Sequence, residues 1–174
     1  SNMMKMIEDN RIWFGKDGNS FPAVKQFLSD VTGRRPSSLL MYEDYGHTDM
    51  AKKDLIKLFK DLENVPFDTP KPVKLIKMLS IIGSDKEDIV LDFFSGSATT
   101  AQAIMELNEE TQSNRKFILV QMPEIIDDNP GAIKIGLNNI AEVGKERIRR
   151  AGKTIKEENP LTAQDLDTGF RVFK

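Results

Sequence analysis

The sequence contains no cysteine, and that absence removes disulfides, thiolate catalysis and cysteine-ligated metals together. Histidine is nearly absent as well. With His47 alone, a zinc site of the usual nitrogen and sulfur ligands has no donor set, so no metal is expected. No run of about 18 apolar residues is present, so no membrane-spanning helix is expected. No signal peptide opens the chain either, and the expectation is a cytoplasmic protein. There is no large excess of either charge: 25 Lys and Arg stand against 27 Asp and Glu, giving a net charge of −2. A chain so balanced has no long-range field to steer it to nucleic acid, so any such contact must come from a local positive patch. No internal repeat or low-complexity tract occurs.

What is present is the composition of a globular protein, with 39% hydrophobic and 30% charged residues over a length of 174. That length suits one domain with a single core, or a domain with a small appendage. Ser1-Asn2 ahead of Met3 has the look of a scar left by tag removal.

The most informative segment is Val90-Leu-Asp92-Phe-Phe94-Ser-Gly96-Ser-Ala98-Thr99. An apolar run delivers one carboxylate and breaks into a small-residue turn, which predicts a buried strand over 89–91, a tight turn at 95–97 and a helix over 99–108. Such a turn lets a ligand approach the backbone, and the helix start presents free N–H groups. Strand-turn-helix units of this composition also occur without a ligand.

Around it, Arg11 to Phe14 predicts a short strand ended by a turn at 15–19, and residues 24–31 predict two helical turns. Thr48 or Asp49 caps a helix whose apolar positions are Ala51, Leu55, Leu58, Phe59 and Leu62. The opposite face carries Lys52, Lys53, Lys57 and Lys60, which fits a solvated face better than a binding surface. Thr69-Pro70 announces a second helix with Leu75, Ile76, Leu79 and Ile82 on its apolar side, ended by Gly83. Lys116 to Gln121 forms another apolar strand. After a loop at 127–131, Leu137, Ile140, Ala141, Gly144, Ile148 and Ala151 trace a long helix, and the alternating tail 169–173 predicts a final strand. Alternating strands and helices make this an α/β protein, with ligands expected at the carboxyl ends of its strands.

Three pieces point to one ligand type. Asp92 and its turn are the first, and Gln121 with Glu124 beyond the next strand are the second, placed where nucleoside-binding sheets offer polar groups to ribose hydroxyls. The third is Asp68-Thr69-Pro70-Lys71-Pro72, a hydroxyl and an ammonium at an expected helix start, suited to a carboxylate or phosphate. As a structural feature alone, Thr69-Pro70 is simply an efficient cap. Together they describe a ligand with a nucleoside at one end and a carboxylate at the other.

The segments Phe67-Asp-Thr-Pro70-Lys71-Pro72 and Asp92-Phe-Phe94-Ser-Gly96-Ser-Ala98-Thr99-Thr100, in that order, resemble the cofactor motifs of circularly permuted β-class amino DNA methyltransferases. Phe117-Ile-Leu-Val-Gln121-Met-Pro-Glu124 and the Gly169-Phe-Arg-Val-Phe ending narrow the resemblance to the modification (Mod) subunits of type III restriction-modification systems. The likeness covers residues 10–174 and is strongest over 67–124.

It implies a Rossmann-like S-adenosylmethionine-dependent sheet with flanking helices, present here as an incomplete carboxyl-terminal portion. In that family the activity is methyl transfer to adenine N6 in double-stranded DNA. By the same resemblance Thr69 and Lys71 hold the methionine carboxylate, while Asp92, Phe94, Ser95, Gly96, Ser97, Thr99, Thr100 and Gln121 line the rest of the cofactor. Ala98 stands where the family commonly has glycine, placing a methyl group on a turn that often needs positive φ. Gln121 stands where related enzymes often carry an acid.

The family's catalytic motif, an Asp, Asn or Ser followed by Pro-Pro and an aromatic, is missing, because no Pro-Pro occurs in the sequence. The expectation is a truncated methyltransferase: residues 1–2 a tag remnant, 3–66 a segment for DNA or subunit contact, and 67–174 the cofactor-binding part. The fragment has no reaction centre of its own. Partners implied are double-stranded DNA, a second Mod subunit and a restriction (Res) subunit. Arg34, Arg35, Trp13 and Tyr45 are candidates for DNA contact, although the first 66 residues read equally well as a stub. Lys145, Arg147, Arg149, Arg150 and Lys153 form the one concentrated basic cluster, either a solvated face or a DNA-backbone contact. Two rival classes remain open. A non-catalytic interaction module is one; a nicotinamide-dependent oxidoreductase is the other, disfavoured because the G-x-G-x-x-G positions after Gly96 are Ala98 and Ala101.

Overall fold

The structure is a computed structural model and describes residues 2–30, 33, 35–63, 65 and 67–173. Two compact units divide at Ser38.

The first unit holds a helix α1 (Asn2–Glu8), then β1 (Ile12–Trp13) paired antiparallel with β2 (Ala23–Val24). Gly15 and Gly18 take positive φ in the connecting turn, as a chain reversal there requires. The two helical turns expected over 24–31 are a misreading. Val24 is committed to Ile12 across the hairpin, and only Leu28–Asp30 forms a single 3-10 turn among the described residues. Arg11 ties that turn to the hairpin through Asp30 and lies over the Phe27 ring.

The second unit starts with a short helix α2 (Tyr42–Tyr45) and α3 (Thr48–Leu58). The cap of α3 is His47, not Thr48 or Asp49, and it contributes no side-chain hydrogen bond. Ala51, Leu55, Phe59 and Leu62 are buried as their spacing demands, although the helix itself stops at Leu58. Helix α4 (Val73–Gly83) begins later than expected. Lys71 precedes Pro72, whose ring disfavours helical backbone at the preceding residue, so Thr69 to Lys71 stay outside the helix and Pro72 becomes the cap.

A parallel pair follows: β3 (Ile89–Asp92) and β4 (Lys116–Leu119) in the register Ile89↔Lys116 to Asp92↔Leu119, connected by α5 (Thr99–Thr111). Beyond β4 come a short α6 (Pro130–Lys134), capped by the Asn129 side chain, and the long α7 (Ile140–Glu158), capped by Asn139.

The apolar stripe of α7 is continuous, with Val143, Gly144, Arg147, Ile148, Ala151, Gly152 and Ile155 all buried. It packs on α5 to form one core cluster around Ala101, Met105, Ile148 and Ile155, with Phe117, Leu119 and Phe170 against it. A second cluster joins α3 to the start of α7 through Leu55, Phe59, Leu137 and Val143.

The sheet is covered on one face only. Ile89, Leu91, Ile118 and Val120 point the other way and remain 62%, 48%, 50% and 47% exposed. The strand expected to be buried is therefore half-open, and Leu79 and Ile82 of α4 are exposed beside that expectation too. The expected final strand at 169–173 does not form. Lys116 and Val120 donate to Asp88 and Asp92, so in a parallel ladder the backbone groups of Phe117 and Leu119 point to the far edge. The tail packs by its Phe170 ring, under the Arg149 guanidinium, rather than by its backbone.

Candidate functional site

The turn after β3 is built from its own side chains. Asp92 accepts hydrogen bonds from the Phe94 N–H (3.1 Å) and the Thr100 hydroxyl (2.5 Å), closing the strand end onto the first turn of α5. Each carboxylate oxygen keeps acceptor capacity after these bonds. Gly96 has φ +51°, and a Cβ there would lie 2.8 Å from the Phe67 ring. Its N–H donates to the Gln121 side-chain oxygen at 2.7 Å. Segments separated widely in the sequence thus meet: Phe67 covers the turn and Gln121, just past β4, ties it down. Ala98 is buried in the left-handed region, φ 61° and ψ 39°, the conformation its place in the sequence led one to expect.

Thr69 and Lys71 are exposed, held in an extended segment by the buried Pro70 and Pro72. They do not sit at the helix start, as the sequence had implied; α4 opens at Val73. Asp68 pairs with Lys52 at 2.7 Å. Ser95 is half-buried, Ser97, Thr99 and Thr100 are buried, and Phe94 is 91% exposed with its ring off the turn.

The basic cluster on α7 divides. Arg147 is fully buried beneath the turn, not on a solvated face. Arg150 is engaged by Asp61 and Glu146 and stacked 4.5 Å over Phe59, which raises its pKa and lowers that of Asp61. Lys145 pairs with Glu142, and Arg149 with Glu146. In the first unit Arg35 is exposed, Trp13 is 52% exposed and Tyr45, in the second, is half-buried; Arg34 lies outside the described residues.

The sequence reading missed the supports beneath the turn. At Gly144 a Cβ would meet Ala98 Cβ and the Gly96 carbonyl, both at 3.3 Å, so glycine there lets α7 approach closely. The signal was a glycine and an arginine three residues apart on an otherwise apolar stripe.

Two cavities flank this arrangement. An open groove of about 1360 Å³ runs from Ser95 and Gly96 along β4 to the tail at Phe170. A smaller one of about 510 Å³ is lined by Phe67, Asp68, Glu124 and Asp128. Among the described residues, Asp92, Thr69 and Lys71 line neither. No group of His, Cys, Asp or Glu that could hold a metal ion is present among the described residues, and no helix among them is long and apolar enough to cross a membrane.

A parallel strand pair with a glycine turn leading into a helix, and polar groups gathered at the strands' carboxyl ends, is where α/β proteins that bind a ligand hold it. The chain belongs to the DNA methylase family, which it matches over residues 7–139. It is 38% identical over 170 residues to the type III restriction-modification enzyme StyLTI Mod subunit of Salmonella typhimurium, covering 98% of this chain and 25% of that protein. It is 35% identical over 159 residues to the EcoPI Mod subunit of Escherichia phage P1, covering 91% of this chain and 24% of that protein. The chain thus spans about a quarter of the length of these relatives.

Proposed function

We propose that this chain is the S-adenosylmethionine-binding part of an adenine-N6 DNA methyltransferase of a type III restriction-modification system. The observation that carries the reading is the meeting of Phe67, Gly96 and Gln121 at the carboxyl ends of β3 and β4. Residues 67–174 form the cofactor-binding portion of a Rossmann-like sheet, and 3–66 belong to DNA or subunit contact.

The donor set fits the cofactor. Asp92 retains acceptor capacity for an ammonium or hydroxyl, and the exposed Lys71 and Thr69 suit a carboxylate. When bound, the cofactor supplies an electrophilic methyl group on a sulfonium. This chain's part is to hold and orient it: Asp92, Phe94 and the turn from Ser95 to Thr100 at one end, Thr69 and Lys71 at the other, Gln121 closing the turn. In the whole protein the bound cofactor would supply its methyl group to N6 of a flipped adenine, leaving as S-adenosylhomocysteine as the N6 proton is lost, and this chain's residues would contribute orientation and exclusion of water. Its partners are double-stranded DNA, a second Mod subunit and a Res subunit, in the cytoplasm.

Calorimetric titration tests the reading. S-adenosylmethionine or its demethylated product is expected to bind and NADH is not; preferential binding of NADH would overturn it.

A further inference from the structure

We propose that Arg147 is the positioning residue that holds the turn before α5 in its left-handed conformation, a task that glycine at position 98 would perform unaided. Ala98 is the residue under strain. Its φ of 61° is disfavoured for any residue with a Cβ, and such a conformation persists only where its surroundings over-determine it. Arg147 grips both flanks. Its Nη1 donates to Ser97 Oγ at 2.9 Å and to Thr99 Oγ1 at 2.7 Å, with a longer contact to the Ser97 carbonyl, while Nε donates to Gln102 Oε1 at 2.8 Å.

Core filling does not account for an arginine here. The side chain is 1% exposed and its hydrogen-bond partners are neutral, so its charge is desolvated without a direct counter-ion. Burial pulls its pKa down to about 10, which leaves it charged at neutral pH. It also stands at the amino end of α5, where the helix dipole disfavours a cation. An apolar residue of like volume would satisfy the core at lower cost. What the apolar residue lacks is a donor: one nitrogen, Nη1, reaches the side chains on both sides of Ala98, and the Nε bond to Gln102 fixes where that nitrogen sits. Gly144, one turn earlier on α7, brings the helix close enough for that nitrogen to reach.

The test uses Arg147→Met, Arg147→Lys, Ala98→Gly and the Arg147→Met/Ala98→Gly pair in the full 174-residue chain. Amide hydrogen exchange over residues 95–100 reports on the turn, and calorimetry with S-adenosylhomocysteine reports on binding. Arg147→Met is expected to keep or raise the melting temperature, yet to speed exchange at the turn and weaken binding about tenfold, the scale of one left-handed alanine. Arg147→Lys is expected to fall between Arg147→Met and wild type, since a single nitrogen makes both flanking bonds but the Nε bond to Gln102 that fixes its place is lost. Ala98→Gly alone sets the reference for the pair, which is expected to show slow exchange at the turn and binding within about threefold of that single variant.

Unchanged exchange in Arg147→Met, or no recovery in the pair, overturns the proposal. So does failure of both single Arg147 variants to fold, which would make the residue a core element first. The binding arm rests on the cofactor reading above. If the wild-type chain takes up no S-adenosylhomocysteine, that reading fails, while the exchange measurements still decide the role of Arg147.

Discussion

Lys71 and Arg150 are both basic residues near the fold's working end, and their surroundings give them opposite roles. Lys71 is exposed on an extended segment pinned by Pro70 and Pro72, so the fold gains little from its charge. Lys71→Ala is expected to weaken cofactor binding by about 1.5 to 3 kcal/mol, the worth of a charged hydrogen bond, with the melting temperature of the free protein nearly unchanged. An equal loss of stability would mark it as structural instead. Arg150 joins α7 to the end of α3 through Asp61, the Leu58 carbonyl and the Phe59 ring. Arg150→Ala is expected to cost on the order of 1 to 2 kcal/mol in a urea melt, since these contacts are only partly shielded from water. Because Arg150 holds the Asp61 carboxyl below its ordinary value, the pair's contribution is complete above the usual carboxylate range and fades as pH falls through that lowered value. Asp61→Asn should therefore reduce stability at neutral pH and by progressively less as pH falls below the usual carboxylate range, a trend that melts at a series of pH values will show.

Among the elements, the parallel pair β3–β4 is the one whose environment is incomplete. Parallel strands are ordinarily covered on both faces, which is why Ile89-Val-Leu91 and Phe117-Ile-Leu119 lack polar alternation. Here α5 and α7 cover one face and leave Leu91 and Ile118 half-exposed. Substituting both as Leu91→Lys/Ile118→Lys is expected to leave the melting temperature of this chain nearly unchanged, because exposed positions rarely cost more than about 0.5 kcal/mol. The same pair of changes should suppress self-association in sedimentation runs, since exposed apolar strands invite it. A large drop in melting temperature would show that this face is packed in solution. Helix α4 carries a related lesson. Its apolar positions recur at helical spacing, but Leu79 and Ile82 stay about half exposed, so periodicity located the helix and left its burial undecided.

At the scale of the whole molecule, the sequence holds no Pro-Pro segment, and on the function proposed above it therefore lacks the group expected to grip a flipped adenine. The purified chain is expected to transfer no methyl group to DNA at saturating cofactor, as measured by tritium transfer from labelled S-adenosylmethionine. Measurable methylation would send the search for a reaction centre back to its own residues. The charges on α7 bear on DNA contact. With Lys145, Arg149 and Arg150 each paired to a carboxylate, the patch offers less net charge to a phosphate backbone than the run of basic residues implied.

Apart from the short α6, which the sequence reading passed over beside its loop at 127–131, the order of elements from α3 to α7 was legible from local signals: helical spacing on α3, α4 and α7, and apolar runs leading to Asp92 and to Gln121. The turn at Gly96 was legible in its small residues, while the demand on Ala98 was implied by the resemblance, which has glycine there. Where α4 begins was written in Lys71-Pro72, though the stronger cap signal at Thr69-Pro70 masked it. The tertiary structure alone decided the long-range contacts. Phe67 packs on Gly96, Gln121 ties the turn to β4, and Gly144 lets α7 close upon Ala98. Helical spacing puts Arg147 on the buried stripe and Arg149 off it, but only packing decided which groups the buried guanidinium meets. A sequence spacing fixes which face of a helix a residue occupies, but what lies opposite that face depends on distant segments, 50 residues away in the bond from Arg147 to Ser97 and 92 in that from Arg150 to the Leu58 carbonyl.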